Sequence, residues 1–187
     1  MDEALISEGV RMILAGVGED PERDGLRDTP ARVARSMAEL CGGYEMDPKD
    51  ILAAQFDGGT YNAMVVLREV DFFSLCEHHT LVFHGVASLA YIPRARVVGL
   101  SKLARLVECF ARRLQIQERM TSQIGEALQE HLNPIGWGVE VRAQHMCMAA
   151  RGVGKQRSEM VTTALGGAFL SDSSVRTEFL SRLTRVG

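Results

Sequence analysis

Across residues 137–148 the side chains alternate one for one. Val139, Val141, Ala143, His145 and Cys147 fall on one face, and Glu140, Arg142, Gln144 and Met146 on the other. A period of two marks a strand with one face packed and one face wet, so this segment commits the chain to a sheet covered on one side. Three further β-rich runs can pair with it: 64–70, 82–92 (closed by Pro93) and 161–165. Between them the period becomes helical. Leu103, Val107, Phe110, Ala111 and Leu114 form one apolar stripe, and Met120, Ile124, Ala127 and Leu128 form a second. Asn133-Pro134-Ile135-Gly136 marks a turn before the alternating strand. The resulting order is helices, two strands, two helices, two strands and a closing helix over 173–183. It predicts an α+β fold on an antiparallel sheet with a central helix pair.

Upstream, Ser7 reads as the cap of a helix carrying Val10, Ile13, Leu14 and Val17 at helical spacing. Thr29-Pro30 then reads as a cap followed by proline in the first helical position, with Val33, Met37 and Leu40 on one face and Gly42-Gly43 as the stop. The organisation expected is an N-terminal helical segment over 1–60 and a sheet domain over 61–187, forming one continuous structural unit. Hydrophobic residues make up 46% of the 187, which supports a substantial core. The 21 Lys and Arg against 24 Asp and Glu leave a net charge of -3, the wrong sign for non-specific nucleic-acid binding. No secretory signal and no apolar run of about 20 residues is read, which argues against a membrane protein. Four cysteines are too few for a disulfide scaffold, so a reducing cytoplasm is the expected setting.

Chemistry concentrates in two short clusters. In Cys76-Glu77-His78-His79 a tight turn lets the Cys76 thiolate and the His79 imidazole converge on one ion. In His145-Met146-Cys147 the strand period puts both outer side chains on one face. Thiolate and imidazole form a zinc-type donor set. Either cluster alone also reads as chance spacing or ordinary core. Together, Cys76, His79 and Cys147 supply three ligands and leave a fourth position open, the pattern of a catalytic zinc. His78 and His145 are then left over to move protons. Cys41 and Cys109 read as plain buried thiols, and His84 and His131 as structural or solvated. Ser101-Lys102-Leu103-Ala104-Arg105 opens the central helix, with Ser101 as its cap. Lys102 and Arg105 three apart read either as a solvated basic face or as a phosphate site at the positive helix end. Glu118, at the start of the next helix, reads by default as a favourable first-turn carboxylate.

Four blocks carry a resemblance to a known family. They are the run from Gly25 to Val33; Ser74-Leu75-Cys76-Glu77-His78-His79; Tyr91-Ile92-Pro93 continuing to the run from Val98 to Arg105; and Gln115-Ile116-Gln117-Glu118-Arg119 with His145-Met146-Cys147 and Arg151-Gly152 downstream. In order and separation they resemble GTP cyclohydrolase I, a zinc enzyme family, over nearly the whole chain. The resemblance implies Zn2+ on Cys76, His79 and Cys147, catalytic roles for His78 and His145, and a guanine-binding carboxylate at Glu118. It further implies triphosphate contacts at Lys102, Arg105 and Arg151, with Ser101 and Gln117 touching ribose and base. The implied reaction opens GTP at C8, releases formate and yields 7,8-dihydroneopterin triphosphate, the first step of tetrahydrofolate and pterin biosynthesis. The implied fold is a tunnelling-fold (T-fold) module assembling into a ring, a homodecamer of two pentamers with active sites between subunits. Thr80 and Val82 depart from the family pattern, as does the stretch from Gly154 to Met160. The competing readings are a catalytically inactive nucleotide-binding homologue with a regulatory role, another T-fold purine or pterin enzyme, and a structural zinc module.

Overall fold

The computed structural model describes residues 1–183. The chain divides into two compact units, the first spanning Met1–Gly42 and the second beginning at Gly43. In the first, α1 (Glu3–Gly16) packs against α2 (Thr29–Leu40). The cap of α1 is Asp2, whose carboxylate accepts the Leu5 N–H at 2.9 Å; Ser7, the cap expected from sequence, lies inside the helix. Asp28 holds the cap position of α2, so Thr29, the cap expected from sequence, is its first residue and Pro30 its second, where proline still removes no helical hydrogen bond.

The second unit starts well before residue 60, because the segment following Gly43 belongs to its core and its sheets. After a 3-10 turn (Gly42–Glu45), α3 (Pro48–Leu52) buries Leu52 completely. Next, β1 (Gln55–Asp57) pairs with the later β4 (Arg96–Val98) as a small antiparallel ribbon. The main sheet comprises β2 (Val65–Cys76), β3 (Val82–Ile92), β5 (Leu114–Gln115), β6 (Gly136–His145) and β7 (Met160–Gly167). Its spatial order is β5-β2-β3-β6-β7, antiparallel apart from the short β5 alongside the end of β2. Two helices cover one face: α4 (Leu100–Ala111) packs on β2, and α5 (Gln117–Leu132) on β6 and β7. This is the α+β arrangement the periodicity predicts.

The inward residues of β6, Val139, Val141 and Ala143, are sealed under these helices with Phe83, Leu89, Leu106, Ile124 and Leu128. Truncating one such leucine to alanine costs about 2–5 kcal/mol. Past the single turn α6 (Met146–Ala149), the chain ends its described course in α7 (Ala168–Ser171) and α8 (Ser173–Leu183). Phe169 and Phe179 from these helices join Met64 and Ala90 in a second apolar cluster. One close fit sets the helix–sheet spacing: Trp137 lies against Gly125 and Gly166, where an added Cβ would meet its ring at 1.9 Å and 2.3 Å.

Two departures bear on the site. The strand expected over 64–70 continues to Cys76 through a bulge between Leu67 and Val70, where Glu69 takes φ 56° and its N–H donates to Ser88 Oγ at 3.2 Å. The bulge interrupts the alternation, which hides the second half of the strand from a pattern search. Conversely, β6 stops at His145, so Cys147 sits on α6 and not on the strand face shared with His145.

Candidate metal centre and nucleotide site

The end of β2 folds into a tight turn. Cys76 N–H donates to Leu81 O at 2.8 Å, while the N–H groups of Thr80 and His79 donate back to Cys76 O at 2.8 and 3.2 Å. Thr80 closes the turn at φ 56°, a left-handed conformation that suits a β-branched residue poorly. The fold-back leaves Nδ1 of both His78 and His79 at 3.8 Å from Cys76 Sγ. From the other side α6 delivers Cys147. The ligand atoms of Cys76, His79 and Cys147 all lie within 4.8 Å of one another.

These residues fit a zinc ion. Tetrahedral zinc, with bonds of about 2.0–2.3 Å, holds its donors roughly 3.3–3.8 Å apart, so a contraction of about 1 Å closes the set. Burial pushes the Cys147 thiol up, and the adjacent Cys76 thiol adds to this, while Arg151 acts in the opposite direction. A zinc ion bound here would take Cys147 as the thiolate, displacing its proton. Cys41 and Cys109, buried elsewhere, have no such partners; Cys109 Sγ accepts from Arg113 at 3.2 Å.

Around this cluster the fold gathers four of the other expected residues. His78 shares the turn. His145 stacks flat on Phe83, ring centroids 4.6 Å apart and planes 1° from parallel. Burial pulls its imidazole below the usual histidine range, and the Glu118 carboxylate pulls it back up, so Glu118 lies within electrostatic reach. Arg151 acts on Cys147 in the same way. Gln117, expected at the ribose and base, is 1% exposed. Its Oε1 lies 2.8 Å from His145 Nε2, and its Nε2 donates to Val141 O and Met160 O at 3.0 Å each and to Thr162 Oγ1 at 3.1 Å.

One contact was not anticipated from sequence. Arg119 forms an ion pair with Glu77, between Cys76 and His78, and its Nε donates to Gln115 Oε1 at 3.0 Å. The Arg119 guanidinium holds the Glu77 carboxyl below the usual carboxylate range. This pair fastens the metal turn to the start of α5. It joins residues 42 positions apart, so no local spacing rule reveals it.

Ser101, Lys102 and Arg105 are not brought to this cluster within one chain. The cap of α4 is Gly99, and Ser101 lies within the first turn, contrary to the cap expected from sequence. Val98 N–H donates to Tyr91 OH at 3.1 Å, so α4 begins at the Tyr91 end of β3. The metal turn adjoins Val82, at the other end of that strand. Nine residues of strand separate the two ends, or roughly 30 Å.

Comparison with known proteins decides the family. The family model for GTP cyclohydrolase I matches residues 6–184. The chain belongs to the GTP cyclohydrolase I family. A GTP cyclohydrolase 1 from Chlorobium phaeovibrioides is 54% identical over 180 residues, covering 96% of this chain and 80% of that protein. One from Wolinella succinogenes is 51% identical over 178 residues, covering 95% of each chain. GTP cyclohydrolase 1 1 of Pseudomonas aeruginosa is 48% identical over 185 residues, covering 99% of each. Among the described residues, no helix is long and apolar enough to cross a membrane.

Proposed function

We propose that this chain hydrolyses GTP at C8, releases formate and forms 7,8-dihydroneopterin triphosphate, with Zn2+ held by Cys76, His79 and Cys147. The observation that carries the reading is the convergence of these three donors beside His145 and Glu118. When bound, the ion supplies activated water at neutral pH, the pKa of zinc-held water falling to about 7. His145 donates a proton to the ring nitrogen beside C8 as the imidazole ring opens. Glu118 accepts from both N1–H and the exocyclic amine of guanine. Adenine offers no such donor pair and would leave the carboxylate unpaired, so discrimination of the kind built on polar pairing follows. His78 serves proton transfers on the ribose side as the sugar opens, rearranges and recloses. Arg151 contacts the triphosphate from the metal side.

Lys102, Arg105 and Ser101 complete the phosphate site from a neighbouring chain, since roughly 30 Å of strand separates them from the metal within one chain. This favours a homo-oligomer, a ring-shaped decamer, with sites between subunits in the cytoplasm, feeding tetrahydrofolate synthesis. Incubating zinc-loaded protein with GTP and following formate and product absorbance tests the reading, with ATP and a Glu118→Gln variant as controls. Formate from GTP alone, lost in the variant, supports it. GTP binding without formate release overturns it in favour of a nucleotide-binding regulatory homologue.

A further inference from the structure

The polar contacts around Gln117 determine more than its position. Thr121 Oγ1 donates to Gln117 O at 2.7 Å, which uses the only hydroxyl proton Thr121 has. The 2.7 Å contact between Thr121 Oγ1 and Thr162 Oγ1 must therefore carry the Thr162 proton. Thr162 oxygen is left to accept, and Gln117 Nε2 donates to it at 3.1 Å. The same Nε2 faces the carbonyl oxygens of Val141 and Met160, 3.0 Å from each. Turning the amide over would set its oxygen against both carbonyls and would break the hydroxyl relay. Only one amide orientation is compatible with all four partners, and it directs Oε1 at His145 Nε2, 2.8 Å away. A carbonyl-type oxygen only accepts, so Nε2 of His145 must carry hydrogen.

We propose that Gln117 is a positioning residue: it fixes the orientation of the His145 ring and holds it as the Nε2–H tautomer, so that Nδ1 is the nitrogen left to act on substrate. The inference rests on the reading of His145 as a catalytic histidine. Phe83 holds the ring plane from one face, and Gln117 sets its rotation within that plane. When a proton passes from Nδ1 of the imidazolium to the substrate nitrogen, the N–H bond at Nδ1 breaks and the neutral ring keeps its Nε2 hydrogen on Gln117. No rearrangement of the ring is then required between turnovers. Gln117 thus contributes through the histidine and not by touching ribose or base, from which its 1% exposure separates it.

Two measurements test this. The first uses the unmodified protein, so it does not depend on any variant folding: nitrogen-15 chemical shifts of labelled histidine in sedimented, intact protein at a pH where His145 is neutral. His145 signals are identified by their loss in a His145→Asn variant. The expected pattern is hydrogen on Nε2 and none on Nδ1; hydrogen on Nδ1 overturns the proposal. The second is steady-state kinetics of Gln117→Met, which keeps the length of the side chain and removes its polar atoms. The expected result is a kcat for GTP lower by roughly 10- to 100-fold, with KM changed less than about threefold. A raised KM with kcat unchanged would make Gln117 a substrate contact and overturn it. If the unmodified protein releases no formate from GTP, the cyclohydrolase reading fails, while the nitrogen-15 pattern still decides the Gln117–His145 relation.

Discussion

Two inactive variants should rescue one another if the nucleotide site is shared between chains. One variant is Cys147→Ser, which removes a donor from the metal cluster. The other is the double change Lys102→Ala and Arg105→Ala, which removes two cations from the start of α4. In one chain α4 begins near Tyr91, at the other end of β3 from Val82 and the metal turn, so the start of α4 with Lys102 lies roughly 30 Å of strand away at about 3.3 Å per residue. A nucleoside triphosphate cannot span that distance, so the proposed shared site takes its metal from one chain and these cations from another. Losing two charge-assisted contacts, at about 1.5–3 kcal/mol each, should cost the double variant at least roughly a hundredfold in kcat/KM. In oligomers assembled from equal amounts of the two chains, half of the metal clusters are intact, and half of those face an intact α4 end. About one quarter of the sites should therefore be fully wild type. The assay is formate release by mixed oligomers, co-expressed with two different tags and purified through both. Mixed oligomers no more active than their parents would refute the reasoning and place the whole site within a single chain.

Other outcomes follow from particular contacts. Gly125→Ala should destabilise the protein by about 1–3 kcal/mol, because the new methyl would lie 1.9 Å from the Trp137 ring. Trp137 is the sole tryptophan, so its fluorescence should shift, and an unchanged spectrum and melting temperature would contradict that packing. Thr80→Gly should raise stability by about 0.5–1 kcal/mol in calorimetry, since glycine relieves the left-handed conformation at φ 56°. A lower melting temperature would show that the threonine side chain holds the turn by contacts outweighing the strain. Arg119→Ala should weaken zinc retention against a competing chelator by roughly tenfold, because the turn loses its tether through Glu77. Unaltered retention would show that the turn's backbone hydrogen bonds suffice.

The elements governed by a clean period were legible in the sequence. The alternation in β6 and the apolar stripes of α4 and α5 each mark one buried face, and these three elements enclose the core. The same reasoning carried too far at residue 147. The strand period cannot signal its own end, and Cys147 reaches the metal cluster from a helical turn instead of the strand face. The second half of β2 stayed hidden because the bulge at Glu69 reverses the side-chain phase. The caps were misread at Ser7, Thr29 and Ser101: Asp2, Asp28 and Gly99 occupy the boundaries, with Thr29 and Ser101 in the first turn and Ser7 more than a turn inside its helix. Donor chemistry pointed to Cys76, His79 and Cys147 without coordinates only when the two clusters were taken together, since either alone also reads as chance spacing or ordinary core. Gln117 shows the opposite case. Its residue type suits a base contact as well as a buried support, and the contacts to Val141 O, Met160 O and Thr162 on which the positioning proposal rests cannot be read from spacing. The tether from Arg119 to Glu77 depends on how α5 returns to the end of β2, which is a property of the assembled sheet.

The most direct test is a zinc titration of metal-stripped protein, with bound zinc per chain and formate release from GTP followed in the same samples. Formate release should be absent without metal and rise in proportion to occupancy up to one ion per chain, and Cys147→Ser should show neither tight zinc nor formate. Turnover of GTP by the stripped protein at the rate of the loaded one would contradict the account, as would full zinc occupancy with no formate at all.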